Sequence, residues 1–317
     1  MSRPKLAFIF PGQGTQRIGM GLELAKAFPE VGEVFAAADA ALGENLSELC
    51  FHGPEELLRQ TVNAQPAILT ASVAFWRLVS GYFTPDCVAG HSLGEYSALV
   101  AAGSLELAEA VRLVRERGRL MEEAVPPGTG TMAAIIGLEK MKVLELCREV
   151  AESEGLVEPA TYNGGGQVVV AGLVPAVRKL MELALQSGAK RAVPLNVSGP
   201  FHSGLLQTAA AGLEKVLQNV RIAPPRCPIY ANATACPVLA PDEIRRALTR
   251  QVCSAVLWED CVEAMWRDGV RVFVEIGPGT VLSGLVRRIR KEAQCLHVED
   301  GESWNNLLEW AKRNDVI

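Results

Sequence analysis

The sequence lacks the features that mark several large classes of protein. None of its apolar runs approaches the roughly 20 residues of a membrane-spanning helix, and Leu6–Phe10 is too short for the core of a signal peptide. The formal net charge is −5, which argues against nucleic acid as a partner because phosphate binding requires a basic surface. We find no internal repeat and no low-complexity segment. We therefore expect a soluble, cytoplasmic protein that binds neither nucleic acid nor a membrane.

Metal-binding and disulfide patterns are missing as well. None of the eight cysteines forms a Cys-x-x-Cys pair, and none stands at zinc-ligand spacing from a histidine. They are scattered at positions 50, 87, 147, 227, 236, 253, 261 and 295. We expect free, buried thiols in a reducing compartment, and no metal.

The chain does contain an alternation of short apolar strands and helical patterns, the latter including 21–42 and 203–220. Of its 317 residues 49% are apolar, enough for a substantial core. The alternation predicts a parallel sheet with helices on both faces. It is interrupted by a β-α-β-β-α-β order over 131–197, which is typical of a small split-βαβ domain. We therefore predict an α/β fold in which residues 1–127 plus 198–317 form a large subdomain and residues 128–197 an inserted small one.

Ser92 lies in Gly90-His91-Ser92-Leu93-Gly94, between a predicted strand and a predicted helix. Gly-x-Ser-x-Gly alone is a weak signal, because a chance match in a chain of this size has odds of about one in ten. A preceding strand and a following helix would place the serine Oγ on a strained, exposed turn, and the flanking glycines permit that turn. This context favours a nucleophile over a structural serine.

A serine nucleophile needs a base, and the chain has only four histidines: His52, His91, His202 and His297. His91 is adjacent to Ser92, so its side chain should diverge, and His52 is expected to be structural. His202 lies in a loop after a predicted strand, where catalytic groups collect. His297 lies in a predicted strand, but a late histidine suits the Ser…Asp…His order of α/β-hydrolases. The pattern favours His202 and keeps His297 as the rival.

The oxyanion formed when a serine attacks a carbonyl needs hydrogen-bond donors. The N–H of Leu93, directly after the serine, is one candidate. A second should come from a glycine-rich loop at the end of another strand, and the loop 10–16 contains Gln13 between two glycines. From the pattern alone, a plain turn is an equally good interpretation of this loop.

Five separated segments together resemble the malonyl-CoA:acyl carrier protein transacylases of type II fatty-acid synthesis. They are FPGQGTQ at 10–16, GHSLGEYSAL at 90–99, RGRLM at 117–121, GPFHS at 199–203 and EIGPGTVLSGL at 275–285. Their order and spacing match the family over nearly the whole chain. The resemblance implies a hydrolase-like parallel-sheet domain with a ferredoxin-like insert, in agreement with the β-α-β-β-α-β pattern.

The resemblance also implies roles for individual residues. Ser92 would be the nucleophile and His202 its base. The backbone N–H groups of Gln13 and Leu93 would form the oxyanion hole. No Asp would complete the pair, because the backbone carbonyl of Gln251 would orient the histidine instead.

Arg117 is implied to bind the free carboxylate of the malonyl group. A planar guanidinium can hold a carboxylate through two charge-assisted hydrogen bonds and does not lose its proton. Charge periodicity cannot choose among Arg112, Arg115, Arg117 and Arg119, whereas the resemblance selects Arg117. Phe201 fits the malonyl-type pattern of the family better than the methylmalonyl one.

The implied reaction moves malonyl from malonyl-CoA to the pantetheine thiol of acyl carrier protein through a malonyl-serine ester, without a metal or bound cofactor. Because such carrier proteins are acidic, local positive charge should steer docking. The candidates, which could equally be ordinary solvated residues, are Lys190, Arg191, Arg287 and Arg288. Three competing functions are a thioesterase or esterase, a non-enzymatic docking module, and an acyltransferase that serves a polyketide synthase in trans.

Overall fold

The computed structural model describes residues 3–316 and contains two separate β-sheets. The strands are β1 (Lys5–Phe10), β2 (Cys87–Gly90), β3 (Gly130–Ile136), β4 (Val157–Gly164), β5 (Gln167–Leu173), β6 (Arg191–Pro194), β7 (Ile229–Tyr230), β8 (Pro237–Val238), β9 (Val270–Ile276) and β10 (Gln294–Val298). The larger sheet has six strands in the order β10-β9-β1-β2-β7-β8, and the smaller has four in the order β4-β5-β3-β6.

Helices pack against both sheets. They are α1 (Leu22–Ala27), α2 (Pro29–Leu42), α3 (Leu46–His52), α4 (Glu55–Arg59), α5 (Thr61–Ser80), α6 (Gly94–Ala101), α7 (Leu107–Glu123), α8 (Lys140–Glu154), α9 (Val174–Gln186), α10 (Gln207–Gln218), α11 (Pro241–Val252), α12 (Trp258–Arg267), α13 (Val281–Ile289) and α14 (Gly301–Arg313). Among the described residues, none of these helices is long and apolar enough to cross a membrane.

Strand β1 lies inside the larger sheet and is buried on both faces. It pairs in parallel with β2 and β9, and among the described strands of this sheet only the two-residue β8 pairs antiparallel, with β7. Because side chains alternate along a strand, Phe8 and Phe10 pack into one core with α5 and α7, whereas Ala7 and Ile9 pack into a second core with α12 and α13. The carboxyl ends of the parallel strands meet at one edge, where open α/β sheets bind ligands.

The smaller sheet is antiparallel and forms its own core with α8 and α9. The central strands β3 and β5 are the first and third of the unit, which is the strand order of a ferredoxin-like fold. Strand β4 also bonds to the large subdomain: the N–H of Tyr162 donates to the carbonyl of Val256 at 2.9 Å, and the N–H of Val256 donates to that of Ala160 at 2.9 Å. Backbone hydrogen bonds therefore hold the small subdomain against the larger one.

The predicted fold class is confirmed, with a hydrolase-like parallel sheet and a β-α-β-β-α-β insert. The strands of the insert fall within 128–197, and the subdomain limits at those positions stay a prediction. The single helix predicted over 21–42 is wrong: Pro29 disfavours helical backbone in the residue before it, so Phe28 is extended at φ −129° and separates α1 from α2. The helix predicted over 203–220 begins instead as a 3-10 turn at Gly204–Leu206.

Candidate active site

Ser92 lies on a sharp turn between the end of β2 and the start of α6. Its φ is 53°, in the left-handed region that side chains rarely adopt. Steric overlap excludes a side chain at both flanking glycines. A Cβ at Gly90 would overlap the carbonyl of Gly94, and a Cβ at Gly94 would overlap the carbonyl of Phe10. The buried Asn232 holds the turn, because its Oδ1 accepts the N–H of Ser92 at 2.7 Å and its Nδ2 donates to the carbonyl of Gly90 at 2.7 Å. The structure thus contains the strand–turn–helix context predicted around Ser92.

His202 is the histidine that the structure brings to Ser92. Its Nε2 lies 2.7 Å from the serine Oγ, and its Nδ1 lies 2.8 Å from the backbone carbonyl of Gln251. A carbonyl only accepts, so Nδ1 holds the proton and Nε2 is free to accept one from the serine. His202 is buried, and this burial, followed by the charge of Arg117, lowers its pKa to about 3. The ring is therefore neutral near pH 7 and available as a base.

The other three histidines have different neighbours. Nε2 of His91 lies 2.9 Å from Oδ1 of Asn163 on β4, and its ring centroid is 5.8 Å from that of Trp258. His91 therefore points away from the serine and toward the small subdomain, as predicted. His297, the rival candidate, lies on β10, and His52 lies at the end of α3. Within residues 3–316, neither has a hydrogen bond to Ser92.

The loop after β1 packs directly against the serine turn. The N–H of His91 donates to the carbonyl of Phe10 at 3.0 Å, and a Cβ at Gly12 would overlap the carbonyl of His91. This contact brings Gln13 close to the turn that begins α6, where Leu93 stands. Among the described residues, neither of these two backbone N–H groups donates a hydrogen bond within the protein. Both are thus free to bind an oxyanion.

Arg117 is buried beside Ser92. Its Nη2 lies 3.2 Å from the serine Oγ and 2.9 Å from Oε1 of Gln251, and its Nη1 lies 2.7 Å from Oε1 of Gln65. Its guanidinium carbon is 5.4 Å from the ring centroid of Tyr96. Burial lowers the pKa of Arg117, but a guanidinium starts so high that it stays charged. The site therefore holds a cation in direct contact with the candidate nucleophile.

The neighbouring arginines of α7 point elsewhere. Their contacts are Arg112 with the carbonyl of Ala41, Arg115 with Asn63 and Glu44, and Arg119 with Glu116 and Glu123. Charge periodicity alone could not distinguish the four arginines, whereas burial does: Arg117 is 1% exposed.

The side chain of Gln251 connects Arg117 to a buried carboxylate. Its Oε1 faces Arg117, while its Nε2 donates to Oε2 of Glu95 at 2.8 Å and to the carbonyl of Ser92 at 3.0 Å. The same Oε2 of Glu95 accepts the N–H of Asn232 at 3.0 Å. Burial raises the pKa of Glu95 to about 7, although these hydrogen bonds and Arg117 oppose the rise. The carboxyl group beneath the serine turn is therefore only partly ionised at neutral pH.

Replacing Glu95 by glutamine should change how stability depends on pH. A carboxyl whose pKa rises from 4.5 to about 7 on folding binds more protons in the native state, so stability falls as pH rises through that window. The amide oxygen of Glu95→Gln can accept both hydrogen bonds that Oε2 now accepts. We expect the loss of unfolding free energy between pH 5 and 8 to shrink by about 2.5 kcal/mol, measured by urea denaturation at both pH values.

Glu149→Gln is the matched control, because Glu149 is an exposed residue of α8. This variant should keep the wild-type dependence on pH. An unchanged dependence in Glu95→Gln would mean that Glu95 is ionised in the native protein throughout the range.

One arginine from each predicted basic cluster, Arg191 and Arg288, lies at the same end of the smaller sheet. Ile136 of β3 pairs with Gln167 of β5 on one side and with Arg191 of β6 on the other. Nη1 of Arg288 lies 3.0 Å from Oε1 of Gln167, whose backbone is two strand spacings, or about 10 Å, from that of Arg191. We call the exposed residues Lys190, Arg191, Arg287 and Arg288 the basic edge; the side chain of Arg287 reaches the larger sheet instead, where its Nη2 donates to the carbonyl of Cys295 on β10 at 3.1 Å.

Several polar residues of the site were not predicted. They are Gln65, Glu95, Asn163, Asn232 and the side chain of Gln251. The available signal for Gln65 was a polar residue inside the apolar run Ala64–Leu69, and for Glu95 a charge directly after the serine turn. For the others no local signal exists, because their partners are distant in the sequence. Among the described residues, no group of three or more His, Cys, Asp or Glu side chains is arranged to hold a metal.

Comparison with known proteins finds a family that covers most of the chain. The family described as acyl transferase domain matches residues 7–312. A malonyl CoA-acyl carrier protein transacylase of Haemophilus influenzae is 45% identical over 309 residues, which cover 96% of this chain and 99% of the relative.

Solved structures agree with this relationship. An acyl-carrier-protein S-malonyltransferase from Bartonella henselae has a TM-score of 0.93 and 45% identity, covering 96% of this chain and 98% of its own. A malonyl-transacylase solved in complex with a type II polyketide synthase acyl-carrier protein has a TM-score of 0.94 and 45% identity, covering 96% and 99%.

Proposed function

We propose that the chain transfers malonyl from malonyl-CoA to the pantetheine thiol of acyl carrier protein. It belongs to the family of acyl transferase domains, and it resembles malonyl CoA-acyl carrier protein transacylases over nearly its whole length. One observation supports this most directly. The Oγ of Ser92 has a neutral imidazole at 2.7 Å and a buried guanidinium at 3.2 Å. This pairs an activated nucleophile with a cation suited to a substrate that carries a carboxylate.

In the first half-reaction Ser92 Oγ attacks the thioester carbonyl carbon while Nε2 of His202 accepts the hydroxyl proton. The carbonyl oxygen becomes an oxyanion and accepts hydrogen bonds from the N–H groups of Gln13 and Leu93. When the intermediate collapses, the C–S bond breaks and His202 returns the proton to the sulfur of coenzyme A. The product is a malonyl-serine ester.

In the second half-reaction the pantetheine thiol of the carrier protein attacks this ester. His202 accepts the thiol proton, the C–S bond forms, and the C–O bond to Ser92 breaks as the serine regains a proton from His202. The charge of Arg117 is one cause of the low pKa of His202. A malonyl carboxylate paired with Arg117 offsets this charge, so the base becomes stronger once substrate is bound.

The experiment that tests this function has two parts. Intact-mass measurement after mixing with malonyl-CoA should detect one malonyl group, and peptide mapping should locate it on Ser92. Adding acyl carrier protein should then move the group to the carrier faster than water removes it. Rapid loss to water without an acceptor would favour a thioesterase or esterase, and absence of any acyl-enzyme would favour a docking module.

The pathway served is proposed as fatty-acid elongation. The alternative is an acyltransferase that serves a polyketide synthase in trans, because one similar structure was solved with a polyketide synthase carrier protein. Comparing transfer rates to the two kinds of carrier protein would distinguish the two functions. All eight cysteines are free within the described residues, which supports a reducing compartment. The cytoplasm is therefore the proposed location.

Charge reversal on the basic edge should weaken carrier docking without affecting the chemistry. Because carrier proteins of this kind are acidic, exposed positive charge raises the rate of productive encounter at low salt. We expect Lys190→Glu/Arg191→Glu and Arg287→Glu/Arg288→Glu each to raise the KM for carrier protein by about tenfold. Formation of malonyl-serine from malonyl-CoA should stay at the wild-type rate.

Lys312→Glu/Arg313→Glu is the control, since both residues are exposed at the end of α14. It makes the same change in net charge on another part of the surface and should leave the KM unchanged. A wild-type KM in both basic-edge variants at low salt would remove this docking surface from the proposal.

A further inference from the structure

The guanidinium of Arg117 is held almost entirely by neutral groups. Its hydrogen-bond partners are the amide oxygens of Gln65 and Gln251 and the hydroxyl of Ser92. Its buried Nε–H has no hydrogen-bond partner among the described residues, and the ring of Tyr96 lies beside the guanidinium. Glu95, the buried carboxyl in this cluster, bonds to Asn232 and Gln251, and no ion pair within 4.0 Å joins it to Arg117 in the described chain. The cation is therefore oriented but not neutralised.

Gln65 is built to present an oxygen to this cation. It is fully buried on α5, where its neighbours in the helix are apolar. Its Nε2 donates to Sδ of Met121 at 3.6 Å, and a thioether can only accept. With the amide nitrogen directed there, Oε1 faces Nη1 of Arg117 at 2.7 Å. The amide orientation is thus fixed from both sides.

A neutral oxygen and a carboxylate at this position would have opposite consequences. A carboxylate would pair with the guanidinium and satisfy its charge before any substrate arrives. The amide oxygen keeps the guanidinium in place beside Ser92 and leaves its charge without a directly bonded counterion, because Glu95 is linked to it only through the side chain of Gln251. Such a charge is costly until an anionic group enters. A neutral acyl group would leave it unpaired, whereas an acyl group with a terminal carboxylate would complete it.

We propose that Gln65 is a specificity-determining residue: its neutral oxygen orients Arg117 toward the serine while leaving the guanidinium charge for a carboxylate on the acyl group. This inference rests on the proposed function, because it concerns which acyl group that same site accepts. It assigns selection for carboxylated over neutral acyl groups to an amide on a different helix from the arginine itself.

The test is the ratio of kcat/KM for malonyl-CoA to that for acetyl-CoA in Gln65→Glu. We expect malonyl transfer to fall about 100-fold, since the new carboxylate neutralises Arg117 and repels the substrate carboxylate. Acetyl transfer should stay within about threefold of wild type or rise, because a paired guanidinium no longer disfavours a neutral group. Gln60→Glu is the matched control: it adds the same charge at the exposed N-cap of the same helix and should keep the wild-type ratio.

A second variant covers the case in which Gln65→Glu does not fold, as judged by circular dichroism. Gln65→Met keeps the length of the side chain but removes the oxygen, and it should lower malonyl transfer about tenfold while changing acetyl transfer less than twofold. Equal losses for both substrates in either variant would make Gln65 structural and overturn the inference. A wild-type protein that transfers no malonyl would overturn the proposed function and this inference with it, whereas an active wild type with an unchanged ratio in the variants would overturn this inference alone.

Discussion

Ser92→Ala is expected to abolish acyl-enzyme formation, and His202→Ala to slow malonyl transfer by about three orders of magnitude or more. The first variant removes the only atom that can form the ester. The second removes the imidazole that lies 2.7 Å from that atom, so the serine must lose its proton to water. Intact-mass detection of malonyl-enzyme and steady-state transfer to carrier protein measure the two effects.

His297→Ala is the control for the histidine. His297 was the rival base from sequence order, but it lies on β10, next to β9 at the side of the sheet away from β2. Its removal should leave transfer within about twofold of wild type. If His297→Ala abolished transfer and His202→Ala left it intact, the assignment of the base would be wrong and the serine–acid–histidine order of hydrolases would apply.

The serine turn could be predicted because its determinants are local. Gly90, Ser92 and Gly94 lie within five residues, and the strand and helix around them follow from apolar patterning. The steric reason for the glycines also involves Phe10, at the end of another strand. Even so, the motif and the patterns that flank it were enough to indicate the turn, because the strand–turn–helix context is a property of consecutive residues.

Patterning favoured His202 as the base without excluding His297, and it could not choose among the arginines. His202 and His297 both had defensible positions in the chain, and four arginines alternate along α7. What distinguishes them is long-range: His202 meets Ser92 across 110 positions, and Arg117 meets Gln251 across 134. Hydrophobic periodicity predicts which face of an element is buried but not which distant polar side chain meets it. Resemblance to a family supplied this information instead.

The polar support of the site was missed for the same reason. Gln251 was expected to contribute its backbone carbonyl, and the structure adds a side chain that bonds to Arg117, Ser92 and Glu95.

Short helices were missed for a different reason. Helices such as α3 and α4 have seven and five residues, too few for a 3.6-residue period to be recognised.

Arg117→Ala is expected to lower kcat/KM for malonyl-CoA by two orders of magnitude or more, while acetyl-CoA loses far less or gains. A buried carboxylate without a cation is penalised by several kcal/mol, and a lost charged contact of about 3 kcal/mol corresponds to a factor of more than one hundred. An acetyl group has no carboxylate, so it leaves the guanidinium unpaired in the wild-type site and benefits when the charge is removed. Arg117→Lys should restore malonyl transfer only in part, because an ammonium keeps the charge but loses the planar fork. Saturation curves with both substrates on the wild type and the two variants measure these effects. Equal losses for both substrates would make Arg117 structural, and the carboxylate would then need another cation, although Arg115 and Arg119 are already paired with Glu44 and Glu116 on the outside of α7.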